Sequence, residues 1–147
     1  MQILIDADGC PVVDIAVDIA RQYHLACLIV CDTAHLIERD GAVTITVPQG
    51  ADSADFDLVN RVRGGDVVVT QDYGLAAMCL ARKAIPVSQN GMIYSDANID
   101  SLLNARYAAR KIRRAGGRLR GPARRTAAQD KAFRETLERL VRMAGPA

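Results

Sequence analysis

Ile3-Leu4-Ile5-Asp6-Ala7-Asp8-Gly9-Cys10-Pro11 runs three aliphatic residues into two aspartates, then a turn. The apolar run shows no alternation, as expected of a parallel strand covered by helices on both faces. Gly9 permits a tight turn, and Pro11 suits the first turn of a helix, where its missing N–H costs nothing. Two carboxylates therefore stand at the carboxyl end of a first strand, beside a helix N-terminus. Open α/β sheets place their ligand crevices at this edge.

Outward from this stretch, strands and helices alternate. Val12, Ile15, Ala16, Ile19, Ala20 and Tyr23 recur at helical spacing. Residues 26–31 read as a second buried strand, and Asp32 or Thr33 as the cap of a short helix through Leu36 and Ile37. Residues 43–47 alternate as a half-exposed edge strand. Asp52 to Arg63 reads as a helix, Val67-Val68-Val69-Thr70 as a fourth strand, and Asp72 to Lys83 as a helix. Ile85-Pro86-Val87-Ser88 makes a short strand whose proline suits an edge. Asn90-Gly91 after it is a hairpin signal. Asn98 reads as the cap of a helix to about Arg114, and Thr126 as the cap of a last one. The pattern predicts an α/β fold with a mainly parallel sheet in the order 3-2-1-4-5 and helices at the C-terminus.

With 147 residues, the chain reads as one domain with an acidic body and a basic extension. Half the residues are apolar but only 4% are aromatic, so the core must be aliphatic. Residues 1–103 carry 6 basic and 14 acidic side chains, whereas residues 104–147 carry 13 and 3. This asymmetry fits a polyanionic partner, or halves that neutralise each other within the fold. The N-terminus does not read as a signal peptide, and no run approaches a membrane span. Cys10, Cys27, Cys31 and Cys79 form no C-x-x-C pair and read as reduced thiols of a cytoplasmic protein.

The predicted strand order brings Asp6 and Asp72 to one crevice. In the helix from Asp52, Asp55 shares a face with Val59 and Val62, so it points toward the sheet. Each aspartate has a plainer reading: Asp52 and Asp72 as helix caps, Asp6 and Asp8 as turn residues. Together they suit a hard cation held by oxygen ligands, Mg²⁺ or Mn²⁺, which can activate water and clamp a phosphoryl displacement. Asp66 falls at the opposite edge and reads as a turn residue.

Several motifs resemble the YaiI/YqxD family of uncharacterised bacterial proteins, within the PIN-domain-like superfamily. They are Asp6-Ala7-Asp8-Gly9-Cys10-Pro11-Val12, Gly50-Ala51-Asp52-Ser53-Ala54-Asp55, and Gly65-Asp66-Val67-Val68-Val69-Thr70-Gln71-Asp72-Tyr73-Gly74-Leu75-Ala76. The likeness continues through Asn98-Ile99-Asp100, Leu102-Leu103, Gly121-Pro122, and Asp130 with Phe133. It implies a three-layer PIN-like fold and a metal-dependent nuclease acting on RNA. Asp6, Asp55 and Asp72 would be the metal carboxylates, with Asp8 and Asp52 near them and Thr70, Gln71 and Asn90 in support. The chain departs from some relatives in having Cys31 where they have Asn, and Gln89-Asn90-Gly91 where they have Pro-Arg-Gly.

Between Arg110 and Arg125 the chain holds no acidic side chain. Arg113, Arg114, Arg118, Arg120, Arg124 and Arg125 of this segment are the expected nucleic-acid contacts, since arginine grips phosphate bidentately. Two other functions compete. Ile5-Asp6-Ala7-Asp8-Gly9 resembles the first motif of haloacid-dehalogenase phosphatases, where the first aspartate is the nucleophile; here Cys10 stands in place of the usual Thr. A non-catalytic RNA-binding protein is the other, although few aromatics are present for base stacking.

Overall fold

The computed structural model describes residues 1–49, 53–117 and 124–144, without the side chains of Ser53 and Ala54. In chain order the elements are β1 (Gln2–Asp6), α1 (Val13–Gln22), β2 (Ala26–Asp32), β3 (Val43–Val47) and α2 (Ser53–Arg61). They continue as β4 (Val67–Val69), α3 (Tyr73–Ala81), β5 (Ile85–Val87), α4 (Asp96–Arg114) and α5 (Ala127–Met143). The strands form a five-stranded sheet in the expected order β3-β2-β1-β4-β5, parallel throughout.

The missing alternation in β1 has a direct cause. Ile3 and Ile5 enter a core with α1 and α5 residues such as Ala16, Ile19, Phe133 and Leu137. Leu4 between them enters a second core with Leu58 and Val62 of the α2 region and Leu75 and Cys79 of α3. In β4, Val67 and Val69 face the first core and Val68 the second. Burying each such side chain contributes about 1.5–3 kcal/mol, so both faces of the sheet hold the fold together. The three layers are compatible with a PIN-like fold.

A third cluster joins α3 to the start of α4 through Ala76, Tyr94 and Ile99, with Leu102 and Leu103 beside them. The Tyr94 hydroxyl donates to the Thr70 carbonyl at 3.1 Å, which ties this cluster to the end of β4. After β5 the chain turns at Gly91, with φ of 85°, and Ile93 bridges back to Val87. A Cβ at Gly91 would lie 2.6 Å from the Ala132 carbonyl oxygen, so this turn packs against α5 only as glycine. All four cysteines are free. No helix among the described residues is long and apolar enough to cross a membrane.

Local readings needed correction in three places. The stretch after β2 forms a turn and not a helix, because the Asp32 carboxylate accepts from the Ala34 amide at 2.9 Å. α4 is capped by Ser95; Asn98 is its third residue and accepts from the Ser95 amide at 2.9 Å, closing a capping box. Pro11 precedes the N-cap Val12 and lies just outside α1. Thr126 caps α5 as expected, accepting from the Gln129 amide at 3.3 Å.

Candidate functional site

Asp6 closes β1 and Thr70 follows β4, the neighbouring strand. β1 pairs with β2 on one side and β4 on the other, so the order in which strands are added switches sides at β1. A crevice opens at this switch point, as open α/β sheets require. It encloses about 70 Å³ and is lined by Asp6, Asp8, Cys10, Thr70, Gln71 and Gln89 among others.

Hydrogen bonds organise its floor. The Thr70 hydroxyl donates to Asp6 Oδ2 at 2.8 Å and accepts from the Asp72 amide at 3.0 Å. Asp72 caps α3, its Oδ1 accepting from the Leu75 amide at 3.1 Å. The plain capping role of Asp72 is therefore real, and it fixes the carboxylate beside the crevice. Gln71 Oε1 accepts from the Gln89 amide at 2.7 Å and joins the loop after β4 to the loop after β5.

Burial raises the pKa of Asp6 above 3.8. The Thr70 hydrogen bond opposes this, while the charges of Asp72 and Asp8 push it further up. Asp55 is half-buried in the first turn of α2. Burial lifts the Cys79 thiol to about 12, with further upward pushes from Asp55 and then Asp6. Asp72 and Asp8 thus stand close enough to Asp6 to repel its charge. Oxygen donors under mutual repulsion suit a hard divalent cation, which removes the repulsion on binding.

Asp8 lies on the open side of the crevice. Its carboxylate accepts from the Asp32 amide at 3.2–3.3 Å, which fastens the β1 turn to the end of β2. Asp32 also pairs with His35 Nδ1 at 2.9 Å, and its pKa falls mainly through that contact. Among the described residues, Asp8, Asp32 and His35 form a group whose ligand atoms all lie within 4.8 Å of one another. A hollow of about 410 Å³ beside this group continues from the crevice through Asp8, Gly9 and Cys10 to Leu36 and Ile37. Asp32 was legible by the rule that selected Asp6, since β2 ends at the same edge. His35 carried no such signal.

The basic residues divide in three. Arg125 is bound inward: Nε donates to Asp130 Oδ1 at 2.7 Å, Nη1 to Asn90 Oδ1 at 2.8 Å and Nη2 to the Gln89 carbonyl at 2.7 Å. It clamps the loop after β5 to α5, so Asn90 supports this clamp. Its charge still reaches Cys10, whose thiol it pulls down against a larger upward push from burial. Arg113, Arg114 and Arg124 are exposed. Arg118 and Arg120 lie outside the described residues, as does the acidic Asp52. One further cation reaches the acidic group: Arg106 Nη1 stands 3.8 Å from Asp72 Oδ1.

A larger hollow, about 520 Å³, opens at the opposite sheet edge around Gln2, Arg61, Arg63 and Asp66. Asp66 there accepts from the Gln2 amide at 3.1 Å, the Gln2 side chain at 3.0 Å and the Arg63 amide at 2.9 Å. It is the turn residue that the sequence suggests, and its oxygens are committed to holding β1 against the turn before β4.

Comparison with known proteins adds the lineage. The model of an uncharacterised bacterial family, YaiI/YqxD, matches residues 4–143. A "UPF0178 protein" of Exiguobacterium sibiricum is 52% identical over 141 residues, which cover 96% of each chain. Another, from Ruminiclostridium cellulolyticum, is 49% identical over 137 residues, 93% of this chain and 90% of its own. A third, from Clostridium kluyveri, is 45% identical over 141 residues, 96% of this chain and 93% of its own. No solved structure matches. With an acidic switch-point crevice and a family match running through all the described strands and helices, this chain belongs to the YaiI/YqxD family.

Proposed function

We propose that this protein is a divalent-metal-dependent phosphodiesterase acting on RNA. Asp6, Asp55 and Asp72 would hold Mg²⁺ or Mn²⁺, with Asp8 and Asp52 beside them. The observation that carries the reading is the state of Asp6: a carboxylate half-buried at the switch point, pushed up by burial and by two like charges, and oriented by Thr70. A carboxylate perturbed by burial and like charges in a cleft is a candidate functional group, and a cation joining it would relieve the repulsion. The bound ion would supply Lewis acidity and shield substrate phosphate from the aspartates.

The chain's own groups prepare the crevice. Thr70 aims Asp6 and, through the Asp72 amide, positions the start of α3. Asp72 commits Oδ1 to its cap, and its Oδ2 would face a ligand. Asp8 is held by the Asp32 amide at the mouth. The acidic crevice repels phosphate on its own, so the exposed cations of the basic extension, Arg113, Arg114 and Arg124 among them, would hold the nucleic acid.

The test pairs metal binding with cleavage. Mn²⁺ titration by calorimetry, and cleavage of labelled RNA with Mn²⁺ or with EDTA, would be run on wild type and on Asp6→Asn, Asp55→Asn and Asp72→Asn. Each variant should lose at least about 100-fold in cleavage, since even supporting groups around a metal are worth 10–100-fold. Wild type that binds Mn²⁺ but never cuts RNA would overturn the nuclease assignment. A trapped phosphoryl group on Asp6 would replace it with the phosphatase reading.

A further inference from the structure

We propose that the outer half of α4 is a rail for single-stranded nucleic acid, with Tyr107 stacking on an unpaired base. The idea deepens the nuclease reading and rests on it for the direction in which the strand runs.

α4 changes character along its length. Its first half is anchored through Ile99, Leu102 and Leu103. From residue 104 to residue 114 every residue except Ala109 is exposed. Among the described residues this half meets no core, and it is rich in residues with high helix propensity, chiefly Ala, Arg and Lys.

The exposed surface is ordered. Tyr107, Arg110 and Arg114 fall at i, i+3 and i+7, and Lys111 follows Tyr107 by four, so they share one face. Arg106, Arg110 and Arg113 form the adjoining stripe. From Arg106 to Arg114 the helix rises about 12 Å, long enough to follow a strand past more than one phosphate. Cations in the last turn, Lys111, Arg113 and Arg114, are also explained by the helix dipole. That effect fades within one turn, so it does not account for Arg106 or Arg110.

Tyr107 is the second observation. It is 67% exposed, in a chain only 4% aromatic. A large ring among arginines on a free helix face is the arrangement that binds single strands: cations track the backbone and the ring receives a base. A base within a duplex is already stacked and cannot use it. Arg106 gives the rail an end point, since its guanidinium stands 3.8 Å from Asp72 at the crevice. A strand lying on Tyr107 and Arg110 is therefore led toward the acidic group. RNA and single-stranded DNA share this chemistry, and the experiment separates them.

The full chain would be titrated in EDTA with labelled oligo(U), oligo(dT) and a duplex of matched length, by fluorescence anisotropy. Both single strands, or oligo(U) alone, should bind tighter than duplex; the second result assigns RNA. Tyr107→Ala should weaken single-strand binding by roughly 5- to 150-fold, the range of one base–aromatic stack, and Tyr107→Phe should restore it. Tyr107→Trp places an indole in a chain without native tryptophan, and single strands should quench its emission. The control Lys131→Ala, an exposed cation on α5, should bind as wild type. Duplex binding as tight as single-strand binding, an unaffected Tyr107→Ala variant or an unquenched indole would each overturn the rail. If the indole is quenched but RNA is never cut with Mn²⁺, the rail stands and the nuclease reading fails. If RNA is cut and Tyr107→Ala changes nothing, the nuclease stands and the rail fails.

Discussion

The Thr70 hydroxyl donates to Asp6 Oδ2 across 2.8 Å, linking the ends of two neighbouring strands. The same oxygen accepts from the Asp72 amide. One buried hydroxyl thus orients one acidic side chain and the backbone of another.

Thr70→Val keeps the shape and removes the hydroxyl. Asp6 then loses the one contact that lowers its pKa, and the Asp72 amide loses its acceptor. Leaving such groups unpaired costs about 1–3 kcal/mol each when buried. We expect a loss of about 1–3 kcal/mol in urea unfolding at neutral pH, since the crevice is partly open to water. Asp6 should also titrate at higher pH than in wild type, measurable by carboxyl NMR.

Asp6→Asn should act in the opposite direction when no divalent ion is present. The folded chain binds the Asp6 proton more tightly than the unfolded chain does, because its pKa is raised by burial and by Asp72 and Asp8. Stability is therefore lost as pH rises from 3.8 through the raised folded value. The Asn variant is free of that loss, so its Tm in EDTA at pH 7 should exceed wild type by about 2–4 °C for each kcal/mol of strain relieved. In saturating Mn²⁺ the order should reverse. Wild type gains about 2.7 kcal/mol at a hundredfold excess over Kd, and the variant does not. Differential scanning calorimetry in both conditions checks this.

Arg125→Ala removes the clamp between α5 and the loop after β5. Three donors are lost, two of them to oxygens of Asn90 and Gln89. Charged hydrogen bonds contribute about 1.5–3 kcal/mol, but Asp130 is 46% exposed and its share is screened by water. A net loss of about 1–2 kcal/mol in chemical unfolding is expected. Arg125→Lys should not restore it, because an ammonium cannot reproduce the planar fork. Mn²⁺ affinity at the aspartates should change little. A variant as stable as wild type would return Arg125 to the set of free phosphate contacts.

The sheet and its order were legible because their signals are local. Unbroken aliphatic runs mark strands covered on both faces, and the ends of those runs mark the edge where Asp6 and Asp72 stand. Local competition was harder to see. Asp32 bonds to the Ala34 amide and forms a turn where a capped helix was expected, and Ser95 displaces Asn98 as the cap of α4. Both are side-chain choices between nearby amides, which composition does not rank.

Hydrophobic period and charge are properties of neighbouring residues, so the strands, the acidic edge and the basic extension could be read along the chain. How these parts meet rests on contacts between distant positions. Thr70 meets Asp6 across 64 positions, Asp8 meets the Asp32 amide across 24, and Arg125 meets Asn90 across 35. The structure turned Arg125 inward and left Tyr107 exposed on the outer half of α4. Such contacts join side chains on different elements, and the spacing along one element marks its buried face without naming the partner that meets it.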